Sequence, residues 1–242
     1  YSSLIFLFAA LIRFARFRNY FRYLKLMLTS VSSKSWRKAL FLDLFLSDLY
    51  ISHLKKYSPN YSSIFLNGGA HIQHHYFFNS SAIDEENNPN WYVENRYDPF
   101  LEMLKIYDSI LGNIIELNIP YIIATGMSQT TNDTKEYYYR LKDHTNFLRI
   151  LDVSFTNIHT KMSRDFEVYF DNNINRDITY NTLTNLKEVK TQINIFSDIE
   201  VRDKSLFVTL TFPNEIKDDS IIKNKNNIIN LKEHTVFVAI KN

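Results

Sequence analysis

Three histidines crowd into the stretch AHIQHHY: His71, His74 and His75. On a helix His71 and His75 stand one turn apart on one face, a spacing that lets two imidazoles share one metal ion, and His74 is close enough to His71 to join them. The pattern predicts a metal cluster of His71, His74 and His75, with a packed or surface histidine cluster as the bland alternative. The chain has no cysteine, so disulfides and thiolate zinc or redox sites are excluded. Imidazoles and carboxylates are the side chains left to bind a metal.

A second polar group follows the apolar run Tyr121–Ala124. There Thr125, Gly126, Met127, Ser128 and Gln129 offer hydroxyls and an amide to the oxygens of a phosphate, a sulfate or a sugar, although a plain turn has the same composition. Arg164 in KMSRDF suits a bidentate clamp on an anionic substrate or an ordinary salt bridge. Asp143–His144 reads equally as ligands or as a solvated helix face. With only four glycines, neither GxGxxG nor GxxxxGKS can be written, and no GxSxG elbow occurs. Dinucleotide enzymes, nucleotide-dependent kinases and serine hydrolases of the elbow type are disfavoured.

The elements that must position these groups follow from periodicity. The spacing predicts helices over Leu4–Met27 and Trp36–Tyr57, the latter with Leu40, Leu44, Leu49 and Leu54 as apolar positions and Ser58–Pro59 as its stop. A helix over Asp98–Leu117 has Asp98 at its cap and Pro99 in its first turn. Ser62–Asn67 and Tyr121–Ala124 are continuous apolar runs on either side of it, so strand, helix and strand predict a βαβ unit with parallel strands. Beyond that, Lys135–Leu151 reads as a helix. Phe166–Phe170, Gln192–Phe196, Ser205–Thr211 and Thr235–Ile240 read as strands, with a hairpin at Arg202–Asp203–Lys204 and a surface loop over Lys217–Asn230. The expected fold class is α/β: a mostly parallel sheet flanked by helices, with a helical N-terminal region (1–58), an α/β core (59–242) and a smaller β-rich C-terminal part. The histidine trio and the Thr125–Gln129 bend would then emerge from one rim of the sheet, where open α/β sheets bind ligands.

The net charge of +2 is unevenly spread. Residues 1–42 contain eight Lys or Arg and no acid, so the remainder carries −6. Such a basic segment suits phosphates or anionic lipid, with nucleic acid the less favoured partner. The apolar run Leu4–Ile12 is too short to span a bilayer and precedes its charges, the reverse of a cleaved signal peptide.

The order of SSIFLNGGAHIQHHYFF, DPFLEMLKIYDSILGNII, IPYIIATGMSQ, YYYRLKDHTNFL, KMSRDF and HTVFVAIKN resembles the alkaline phosphatase superfamily. Within it the chain resembles bacterial proteins of the type I phosphodiesterase/nucleotide pyrophosphatase kind, over roughly residues 36–242. The resemblance implies a two-metal hydrolase of phosphoric or sulfuric esters, usually with zinc, whose Thr or Ser nucleophile lies on an early strand. The family's Asp-xxx-His loop falls on Ala70–His74 or His71–His75, so its acid is missing or replaced by His71. Its Asp-His pair falls near Thr125–Gly126, where neither residue stands. No strand in residues 1–61 carries the nucleophile, and the last metal-binding His would lie past Asn242, so the chain is expected to be a fragment or a diverged member of that lineage.

Two functions follow as expectations. The first is a zinc-dependent hydrolase of small-molecule or glycan phosphate or sulfate esters, with His71, His74 and His75 on the metal and Thr125, Gln129 and Arg164 near the substrate. The second is a non-catalytic binding module whose basic N-terminal helix contacts a membrane surface or a partner.

Overall fold

The computed structural model describes residues 2–30, 34–83, 87–126, 130–225 and 227–242. The chain forms two compact units, one of residues 1–133 with Asn242 and one of residues 134–241.

The first unit is helical: α1 (Ser2–Phe14), α2 (Tyr20–Thr29), α3 (Trp36–Tyr57), α4 (Gly68–Tyr76) and α5 (Pro99–Ile115). A 3-10 turn, Phe17–Asn19, leads into α2. The predicted helix over Leu4–Met27 is thus two helices with a break. Trp36, Leu40, Leu44, Ile72, Met103 and Ile110 form the core of this unit, and all are buried. Glu102 on α5 takes the indole N–H of Trp36 at 2.8 Å and the Arg37 Nε at 3.0 Å, tying α5 to α3.

The second unit contains β1 (Glu136–Leu141), α6 (His144–Ile150), β2 (Asn157–Thr160), β3 (Asp165–Tyr169), α7 (Asn173–Thr184), β4 (Asp198–Arg202) and β5 (Ser205–Thr209). It ends with β6 (Ile221–Asn224), β7 (Asn227–Asn230), α8 (Leu231–His234) and β8 (Thr235–Lys241). Strands β2-β3-β5-β4 make a four-stranded sheet, while β1-β8 and β6-β7 make two-stranded ones. Alternation sets the faces of the larger sheet. Phe166, Val168, Leu206 and Val208 point into a core with Phe147, Leu183 and Phe196, leaving Asp165, Glu167, Tyr169 and Phe207 for the other face.

Every strand pairing is antiparallel, which corrects the expectation of a mostly parallel sheet flanked by helices; α/β content remains, in small sheets of two, four and two strands. The two runs expected to be parallel strands, Ser62–Asn67 and Tyr121–Ala124, are not strands. A continuous apolar run becomes a strand only where a neighbour supplies ladder partners, and the run cannot announce that neighbour. Neither run has one here, and Phe65 is 76% and Ile122 94% exposed.

Candidate functional site

Helix α4 carries the histidines, and its start is held by other helices. No side chain of Asn67 caps it; instead the Gly68 N–H donates to Asp43 Oδ2 on α3 at 2.8 Å, and the Gly69 N–H donates to the Tyr107 hydroxyl on α5 at 2.7 Å. Tyr107 donates in turn to Asp43 Oδ2 at 2.6 Å. A buried carboxylate therefore meets one unpaired N–H group of a helix N-terminus directly and a second through the Tyr107 hydroxyl, at an end where negative charge is stabilised. Burial and the Asp43 carboxylate push the Tyr107 hydroxyl pKa well up.

From this anchor α4 presents His71 and His75 side by side, ring centroids 4.9 Å apart, with the His74 ring 6.3 Å from that of His75. Desolvation lowers the His71 pKa below its ordinary value, and the neighbouring His75 and His74 lower it further. The shift favours the neutral imidazole of His71, the form that binds a metal. The fit to a metal is partial. The two rings lie side by side, but no group of three or more His, Asp or Glu among the described residues is arranged to hold an ion.

The other expected site residues lie elsewhere. Thr125 is exposed on an irregular segment of the first unit, and Gln129 falls outside the described residues. Arg164 belongs to the second unit, where its guanidinium stacks 3.9 Å from the ring centroid of Tyr138. Without the parallel strands, the common rim expected for the histidines and the Thr125 bend is absent.

A different surface stands out at the start of the chain. The inner faces of α1 and α2 pack Leu7, Leu11, Tyr23 and Leu26 into the core. Their outer faces are also apolar. Phe17, Phe21, Leu24 and Leu28 repeat at helical spacing and are all more than half exposed, as are Ile5, Phe6, Phe8 and Ile12 on α1. Beside the α2 stripe run Arg18, Arg22 and Lys25, with Arg13 at the end of α1. Arg18 pairs with Glu116 at 2.6 Å, Arg16 reaches the same carboxylate at 3.6 Å, and Arg22 bonds the Ser109 hydroxyl. Hydrogen bonding and charge from Arg18 lower the Glu116 pKa.

Sequence reading identified the basic segment but not its outward apolar stripe, nor the buried acids. The latter had a signal: Leu40, Leu44, Ser47, Asp48 and Ile51 share one stripe of α3, so Asp48 occupies a core position by spacing alone.

No protein-family model, no curated protein and no solved structure matches this chain.

Proposed function

We propose that the chain is a non-catalytic binding module that docks on anionic lipid surfaces through α1 and α2. The observation that carries this reading is the outward stripe Phe17, Phe21, Leu24 and Leu28 flanked by Arg18, Arg22 and Lys25. An apolar ridge edged by cations is the pattern of a helix lying in a membrane interface. Each large apolar side chain moved from water into the acyl boundary contributes about 1.5–3 kcal/mol. Each cation near an anionic surface adds about 1 kcal/mol, so insertion outweighs charge while charge selects the lipid. No helix among the described residues is long and apolar enough to cross a membrane.

Co-sedimentation with vesicles of phosphatidylcholine alone or mixed with phosphatidylserine tests the reading. The full chain should bind the anionic vesicles, more weakly at high salt, and Phe21→Ser with Leu24→Ser should abolish binding. Equal binding to neutral vesicles, or none to anionic ones, would overturn it.

The 4.9 Å pairing of His71 and His75 favours a second reading, the zinc-dependent ester hydrolase. His71 and His75 would hold the metal, which would supply Lewis-acid activation of a phosphoryl or sulfuryl oxygen. Zinc titration by calorimetry should show one site, lost in His71→Ala with His75→Ala. Equal affinity in the double variant removes the cluster from consideration.

A further inference from the structure

The solvent face of the β2-β3-β5-β4 sheet carries a polar group that neither reading uses. Across its middle row His159 pairs with Glu167, Glu167 with Phe207, and Phe207 with Glu200. Glu167 is almost buried. Its carboxylate accepts from Ser205 Oγ at 2.9 Å and Arg202 at 3.4 Å, and pairs with Lys161 at 3.6 Å. Arg202 is further held by Glu200 at 2.8 Å and stacks on the Phe207 ring, 4.6 Å from its centroid. Lys161 and Arg202 thus both pair with the Glu167 carboxylate.

Next to this network the turn between β2 and β3 walls a shallow concavity of about 670 Å3, lined by Thr160, Lys161, Met162, Ser163, Asp165 and Phe207. Phe207 lines the concavity, whereas Arg202, whose guanidinium lies over the same ring, is not among the lining residues. The side chains of Thr160, Ser163 and Asp165 make no hydrogen bond or ion pair among the described residues. The mostly apolar surface of Phe207 and the exposed Met162 is thus bordered by the Asp165 carboxylate, two hydroxyls and one ammonium. Asp165 and Asp198 leave the face with unpaired negative charge, which repels phosphates and argues against nucleic acid. A pyranose matches what remains: its C–H face packs on an aromatic ring while adjacent hydroxyls donate to a carboxylate and accept from hydroxyls or an ammonium.

We propose that this concavity is a binding site for a neutral saccharide, with Phe207 as its stacking platform and Asp165 as its principal acceptor. Glu167 is a positioning residue that keeps Lys161 and Arg202 in place.

Saturation-transfer NMR on the full chain tests this, with cellotriose, maltotriose and chitotriose each offered at about 10 mM, a range suited to millimolar affinity. At least one trisaccharide should bind. Asp165→Ala should weaken it about tenfold or more, the scale of one charged hydrogen bond. Asp198→Ala, in the same cross-strand row but outside the concavity, should leave it within about twofold. Asp165 is partly exposed and unpartnered, so its variant is expected to fold, and an unchanged melting temperature checks that. No signal from any of the three sugars, equal effects of the two aspartate variants, or binding of oligothymidylate in place of a sugar would each overturn the proposal.

Discussion

The Tyr23 hydroxyl on α2 donates to the Asp48 carboxylate on α3 at 2.8 Å, in a core where Asp48 has no solvent exposure. The same carboxylate accepts from the Asn19 side-chain amide at 2.9 Å and the Arg16 backbone N–H at 2.7 Å, so one acid fixes the whole entry to α2. Burial raises the Tyr23 pKa, and the nearby charge and hydrogen bond of Asp48 raise it further. The outward apolar stripe inherits its direction from this pin, because turning Tyr23 and Asn19 inward turns Phe17, Phe21 and Leu24 outward.

Asp48→Ala should therefore destabilise the protein by about 2–4 kcal/mol, since it strands the buried Asn19 amide and the part-buried Arg16 N–H and leaves the Tyr23 hydroxyl only the Leu44 carbonyl at 3.2 Å. Its neighbour Ser47 predicts the opposite sign. The Ser47 hydroxyl is fully buried with no partner among the described residues, so Ser47→Ala should stabilise by about 1 kcal/mol. Urea unfolding of the two variants checks both. A destabilising Ser47→Ala would mean that the hydroxyl is bonded.

Glycine substitutions should separate in the same way. A Cβ on Gly68 would sit 2.6 Å from Asp43 Oδ2, and Asp43 cannot retreat without releasing the Gly68 N–H and the Tyr107 hydroxyl. Gly68→Ala should cost about 2 kcal/mol and disturb the His71–His75 geometry. On α5 a Cβ at Gly112 meets nothing within 4 Å, so Gly112→Ala should gain up to about 1 kcal/mol of helix propensity. Melting temperatures moving together in the two variants would contradict the packing at Gly68.

These local features mark what the sequence could reveal. Helix α3 spans Trp36–Tyr57 as read, and α5 begins at Pro99 with the Asp98 side chain accepting from the Leu101 N–H at 2.7 Å, because capping and 3.6-residue periodicity are local signals. The β4-β5 hairpin closes over Asp203–Lys204 as expected. Pairing between distant segments left no such mark. Tyr137–Tyr139 lie in a strand and not a helix because β8 supplies partners about a hundred residues later, such as Ile240 opposite Tyr137. Lys217–Asn230 hides a hairpin in which Ile222 faces Ile229, disguised by the Asn and Lys around it. Histidine spacing on α4 was legible for the same reason as the helices. The face of the sheet holding Asp165, Glu167 and Phe207 depends on register, which no single segment encodes.

Acid should weaken the fold through histidine. Burial lowers the His144 pKa, against Asp143, which raises it, and with Arg140, which lowers it, and the ring lies 4.9 Å from that of Phe166. His71 is lowered as well. The unfolded chain, with histidines near pKa 6.5, therefore binds more protons than the folded one just below that pH, so stability falls as pH drops through about 6.5. Melting temperature should decline between about pH 7.5 and 5.5, and His144→Gln should flatten the decline. An unchanged slope would show that other groups set it.

The outward stripe should be silent in stability until lipid is present. Phe21 is 86% exposed, so in lipid-free buffer Phe21→Ser should change unfolding free energy by less than about 0.5 kcal/mol. Leu26, on the opposite face of the same helix and 3% exposed, should lose about 3 kcal/mol or more on substitution by serine. Adding phosphatidylserine vesicles should then raise the melting temperature of the wild type and of no stripe variant, because only a chain that binds the surface gains stability from it. If Phe21→Ser instead costs as much as Leu26→Ser without lipid, the Phe21 ring is already covered. A concentration-dependent melting temperature would then identify a second copy of the chain as the cover, and the membrane reading would fail.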